Sequence, residues 1–142
     1  MFIRQDEIRP DDRYYWVTQN KDGSYTGTPK ALEDVEAVDQ DGNPLYVQVY
    51  DEATQSMVDS SERLITKGLK SNCITEVKYN TNMTLAPTDW YVIRKAERNV
   101  DIPAEVATYR AAVIAWATAT EASITAVTTV EELKAINLGV SI

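Results

Sequence analysis

Some residues in this chain have types and spacings that could do chemistry. Asp11-Asp12 and Glu131-Glu132 are adjacent carboxylates, and two carboxylates flanking one bond can hydrolyse a glycoside without histidine. Adjacency in sequence does not aim both at one bond, so solvated or helix-capping roles are the better reading. Asp39-Gln40-Asp41-Gly42-Asn43 sets oxygen side chains at alternate positions, as a calcium loop begins. Such a loop needs a bidentate glutamate at its twelfth position, and that position here is Tyr50, inside an expected strand. The segment therefore reads as a turn. Cys73 is the single cysteine; it falls on an apolar helix stripe and reads as a small buried hydrophobe rather than a nucleophile. Ser60, Ser61 and Ser71 have no histidine to activate them, because the chain contains none, and nothing marks Lys67 or Lys70 as a base. The absence of histidine also removes the commonest general base and the commonest zinc ligand. The five glycines form no phosphate-cradling loop. No catalytic residue, metal site or cofactor is expected.

The bulk properties narrow the classes further. The chain has 142 residues, of which 44% are hydrophobic, enough for one domain with a real core. The net charge of −8 argues against binding to nucleic acid or an anionic membrane. A nucleic-acid regulator would also need a basic recognition helix, which is missing. Charge is distributed unevenly: residues 1–59 carry −8, residues 60–100 carry +3 and residues 101–142 carry −3. Surfaces complementary between copies would show such a pattern. Ordinary solvated faces would too, and surface charge alone specifies little, so that plainer reading is favoured. One cysteine excludes a disulfide-stapled scaffold. The start MFIRQDEIRP is too polar for a signal peptide, and no apolar run reaches membrane-span length. The expectation is a protein made and folded in a cytosol.

The elements that would position these residues change character along the chain. Arg13-Tyr14-Tyr15-Trp16-Val17-Thr18 suits a pleated strand, the turn Asn20-Lys21-Asp22-Gly23 follows, and Ser24-Tyr25-Thr26-Gly27 offers a partner. Pro29 to Val35 reads as one or two helical turns. After the turn at Asp39–Pro44, Leu45, Val47 and Val49 alternate with Tyr46, Gln48 and Tyr50, giving a half-buried strand with an aromatic outer face. Asp51–Thr54 reads as a loop, and Gln55–Val58 as a returning strand. These strands form a small antiparallel meander. Alternation lets only one set of Tyr14, Tyr15, Trp16, Tyr25, Tyr46 and Tyr50 face the core; the other set either meets a partner or is covered by helices.

The period changes at Asp59. Asp59-Ser60-Ser61-Glu62 reads as a helix cap followed by a stripe of Ile65, Leu69, Cys73 and Val77, with Asn80-Thr81-Asn82 marking its fraying end. Pro87 breaks the chain, and Thr88 caps a helix running to Arg98. A third helix runs from Pro103 to Ile124, with Val106, Tyr109, Val113, Trp116 and Thr120 on one stripe. Thr129-Val130-Glu131-Glu132 is a capping box opening a short helix that ends near Ile136. The fold class is α+β: an N-terminal antiparallel meander over residues 1–58, read as partner-binding, and three to four helices over residues 59–142.

The run Leu85-Ala86-Pro87-Thr88-Asp89-Trp90, then Val92-Ile93-Arg94-Lys95-Ala96-Glu97, Ile102-Pro103-Ala104-Glu105-Val106 and Tyr109-Arg110-Ala111-Ala112 resembles the C-terminal half of small tail proteins of tailed bacteriophages, the tail-fibre assembly or tail assembly chaperone group. The shared pattern is a helix, Leu-x-x-Thr-Asp-Trp, a short helix with a glutamate, and Tyr-Arg-x-Ala. It spans roughly residues 60–136, and the first half matches nothing. The resemblance implies a non-enzymatic protein of tail-fibre assembly or attachment, in the host cytoplasm during assembly or in the virion tail. Its partner would be a fibre or baseplate protein, with a homo-oligomer in a threefold or sixfold particle as an option. It also implies structural roles: Thr88 and Asp89 capping a helix, Trp90 as a packing anchor, Tyr109 and Arg110 fixing the next helix. Trp116, like Trp90, is expected in the core. The contact surface is expected among Tyr14, Trp16, Tyr25, Tyr46 and Tyr50. The alternative is a virion-associated carbohydrate-acting hydrolase.

Overall fold

The computed structural model describes residues 9–142, so Met1 to Ile8, most of the polar start, lie outside the described residues. Antiparallel strands come first and helices second, the expected α+β order. The strands are β1 (Tyr15–Gln19), β2 (Tyr25–Pro29), β3 (Val35–Glu36), β4 (Tyr46–Asp51), β5 (Ser56–Arg63) and β6 (Ile65–Thr66). The helices are α1 (Leu69–Leu85), α2 (Asp89–Arg98), α3 (Ala104–Ala126) and α4 (Val130–Lys134), with a 3-10 turn at Ala86–Thr88 between the first two. The strands pair as three two-stranded ribbons, β1–β2, β3–β6 and β4–β5, all antiparallel.

Turn chemistry sets the ribbons. Gly23 and Gly42 both take positive φ, where a Cβ would be strained. Asp39 Oδ1 accepts the backbone N–H of Asp41 and of Asn43, each at 2.9 Å, which locks the second turn. In β4–β5, Tyr50 faces Met57 and Gln48 faces Asp59, with a bulge between Tyr46 and Gln48. The extra residues lie on β5, where Asp59 to Arg63 spans Gln48 to Tyr46, and the expected half-buried face does not form: Leu45 and Val49 are exposed while Tyr46 is half-buried.

Two helix expectations fail. Pro29–Val35 forms no helical turn; its chain is extended and irregular up to β3. The helix expected from Asp59 is strand there, because Asp59 to Arg63 continues the ladder with β4, and Ile65 pairs with Glu36 instead of joining the stripe. The switch to helix falls at Gly68. Its cap comes from the distant segment 31–34 rather than from neighbouring residues. Leu69 N donates to Ala31 O at 2.9 Å and Lys70 N to Leu32 O at 3.0 Å. Asp34 Oδ1 accepts from Gly68 N at 2.8 Å and from Ser71 Oγ at 2.6 Å. These bonds satisfy amides that a helix start leaves without partners. The segment lies so close that a Cβ on Gly68 would sit 2.4 Å from the Glu33 carbonyl. At the other end, Asn80–Asn82 does not fray: Asn80 Nδ2 donates to Leu138 O at 2.9 Å and α1 continues to Leu85.

The core is built on α1, α3 and α4. Leu69, Cys73 and Val77 of α1 meet Ile124 of α3, Val130 and Leu133 of α4, and Val127, Leu138 and Tyr14 from connecting segments. Val77 and Ile124 are fully buried, each contributing about 1.5–3 kcal/mol relative to exposure. Buried Thr81 returns its hydroxyl to Val77 O at 2.7 Å, so it leaves no unmet polar group. The α4 capping box forms: Thr129 Oγ1 accepts from Glu132 N at 3.2 Å. Its return arm reaches one residue further than expected, to Thr128 N at 3.3 Å. Among the described residues no helix is long and apolar enough to cross a membrane.

Candidate interaction surface

The residues that could do chemistry are engaged in holding the fold. Asp11 accepts the N–H of Arg13 at 2.9 Å, and Asp12 lies 3.7 Å from Arg9. Glu131 Oε1 accepts from Tyr15 Oη at 2.7 Å. That bond holds the Glu131 carboxyl below its usual range and raises the Tyr15 phenol above its own. Ser71 donates to Asp34, and Lys70 Nζ is tied to Glu33 at 2.6 Å and to Thr125 O at 2.9 Å. Burial pushes the Cys73 thiol up, against the nearby charge of Arg13; a raised thiol is a poor nucleophile. Among the described residues no three of the side chains able to bind a metal converge. A hollow of about 420 Å³ lies between β1–β2, β3–β6 and the start of α1, lined by Arg13, Trp16, Lys30, Glu33, Lys67 and Asn72 among others. Its cations are already matched: Arg13 pairs with Glu76, Lys67 lies 3.6 Å from Asp34, and Lys30 Nζ donates to Asp12 O at 2.6 Å.

The expected aromatic surface is divided by the fold. Tyr14 is 8% exposed and belongs to the core, which corrects its assignment to the contact surface. It precedes β1 in a turn closed by Tyr14 N to Asp11 O at 3.1 Å, so strand alternation does not govern it. Trp16, on β1, is 67% exposed, with Lys30 Nζ 4.7 Å from its ring centroid. Tyr25 and Tyr46 are half-buried beneath Arg9 and Arg63 respectively. Tyr50 is 61% exposed on the β4–β5 hairpin. The two most exposed aromatics of the set thus stand on separate ribbons.

The anchor residues sort differently. Thr88 makes no capping bond to α2; its hydroxyl donates to Leu85 O at 2.9 Å instead. The Arg110 guanidinium from α3 then joins the turn. Its Nη1 lies 2.7 Å from Thr88 Oγ1, 3.0 Å from Asp89 Oδ1 and 3.1 Å from Leu85 O. Of the two expected to fix the next helix, Arg110 makes these bonds, while Tyr109 is 39% exposed. Trp90 is half exposed and does not anchor the core. It stacks on Tyr91 with ring centroids 3.8 Å apart, and Arg94 Cζ sits 4.9 Å from its centroid. α2 has no fully buried residue of its own, and Arg110 bonds it only at its first residue, Asp89. Trp116 is half-buried against the core.

One feature of α2 escaped the sequence reading. Trp90, Ile93, Arg94, Glu97 and Arg98 line a shallow hollow of about 400 Å³. Their spacing of three and four residues is the signal that places them on one helix face. Comparison with protein-family models, with curated proteins and with solved structures returned no match.

Proposed function

We propose that this chain is a non-enzymatic bacteriophage tail protein that acts in tail-fibre assembly or attachment through protein–protein contacts. The observation that carries this reading is the Arg110 tie. The resemblance to tail assembly proteins rests on Leu-x-x-Thr-Asp-Trp and Tyr-Arg-x-Ala, and Arg110 of the second piece touches Leu85, Thr88 and Asp89 of the first. Short motifs that meet as one hydrogen-bonded unit are better grounds for a shared scaffold than motifs lying apart. The exposed side chains Trp16 and Tyr50 supply aromatic contact surface of the kind enriched at interfaces. The partner is a fibre or baseplate protein, met in the host cytoplasm during assembly or in the virion. The hydrolase alternative has no observation in its favour, since its adjacent carboxylates hold turns, caps and a tyrosine.

The test is a deletion in the phage that encodes the chain, with protein analysis of purified particles. Presence of the chain in particles at fixed stoichiometry identifies an adaptor. Its absence together with misassembled fibres identifies a chaperone. Normal fibres in the deletion, with no chain in wild-type particles, overturn the proposal.

A further inference from the structure

We infer that the exposed face of α2 docks the β4–β5 hairpin of a second copy of this chain, head to tail. The inference does not depend on the tail reading. The hollow on α2 combines apolar and cationic groups: Trp90 and Ile93 are 50% and 55% exposed, and Arg94 and Arg98 have no carboxylate partner among the described residues. Glu97 shares this face as its one carboxylate. Arg94 Nε is buried and donates to nothing, and its guanidinium lies over the Trp90 and Tyr91 rings, 4.9 and 5.5 Å from their centroids. A ligand fitting it needs an apolar body with carboxylates beside it.

The hairpin has that composition. Tyr50 and Met57 are cross-strand partners, 61% and 57% exposed on one face, and Asp59 lies on the same face opposite Gln48. Glu52 adds charge at the tip between β4 and β5. From Glu33 to Glu62 the chain carries carboxylates and no lysine or arginine until Arg63 closes β5, whereas α2 carries Arg94, Lys95 and Arg98 against Asp89 and Glu97. Charge decides the geometry. Two α2 faces brought together would set Arg94 and Arg98 against their own copies, and two hairpins would oppose carboxylates; unlike faces attract. The contact is therefore heterologous, and it closes into a ring or extends into a chain according to the rotation between copies.

Sedimentation equilibrium of the full chain, at low and high salt, tests this. Wild type is expected above monomer mass at concentrations up to about 100 μM, a weak but specific affinity, and to dissociate partly as salt rises. Ile93→Asp and Met57→Asp each weaken association by about 30-fold or more, as loss of a central contact does. Mixed in equal amounts they form a 1:1 dimer and nothing larger, because one supplies an intact hairpin and the other an intact α2 face. Where either aspartate variant folds poorly, Ile93→Ala and Met57→Ala give the same pattern. A monomeric wild type, variants that associate as wild type does, or a mixture that stays monomeric overturns the inference. None of those results touches the particle test of the tail proposal.

Discussion

The ribbons β1–β2 and β4–β5 are built from the same kinds of residue and end in opposite states. Both are two-stranded, aromatic and antiparallel. The first is fastened to the helices at several points: Tyr14 enters the core, Tyr15 reaches Glu131, and the segment after β2 caps α1. The second carries Val49, Tyr50 and Met57 in solvent. Aromatic content therefore does not decide burial. What decides it is whether the chain on either side of a ribbon finds backbone and carboxylate partners on the helices. A two-stranded ribbon alone is marginal in water, so a hairpin left free is the natural part to engage another molecule.

The largest expected contrast is at the aromatic positions themselves. Tyr14→Ala removes a core side chain and should cost about 4 kcal/mol in denaturant unfolding; a loss below about 1 kcal/mol would erase the distinction between the ribbons. Gly68→Ala should cost about 3 kcal/mol, since its Cβ has only backbone to meet. A neutral result in the same assay would mean that the 31–34 segment yields and that the fastening of the first ribbon is loose.

A smaller effect concerns pH. The hydroxyl of Ser71, then the amide of Gly68, with help from Lys67, hold the Asp34 carboxyl below its ordinary range. A carboxyl with a lowered pKa adds stability above its unfolded value of about 3.9, and that contribution is lost as pH falls through the folded value. Thermal melts between neutral and strongly acidic pH should show Asp34→Asn losing less stability than wild type across that acid window. Equal slopes would remove Asp34 from the fastening. The smallest effect is expected at Tyr50→Ala, within about 0.5 kcal/mol of wild type for an exposed side chain. A larger loss in the monomer would show that the hairpin is packed after all.

Much of the fold is local in origin and was legible. The Asp39 turn, the Thr129 capping box and the α1 stripe of Leu69, Cys73 and Val77 each rest on residues within a few positions of one another. The start of α1 was not legible: Asp59-Ser60-Ser61-Glu62 has good capping chemistry, but its backbone is taken by β4, and the first helical amides go to the carbonyls of Ala31 and Leu32. Trp90 was misplaced for a similar reason. Its apolar character says that it favours burial, but α2 has no fully buried residue, and the guanidinium of Arg110 ties its start through Asp89.

The sequence by itself determined the class of fold, the turns at Gly23 and Gly42, the capping box of α4 and the absence of histidine chemistry, because each follows from residue type or short-range hydrogen bonding. Only the tertiary structure decided which aromatics are buried, where α1 begins and that Leu85, Thr88 and Asp89 meet Arg110. Those outcomes depend on contacts between residues far apart in the chain, where one backbone group can satisfy only one of several competing partners.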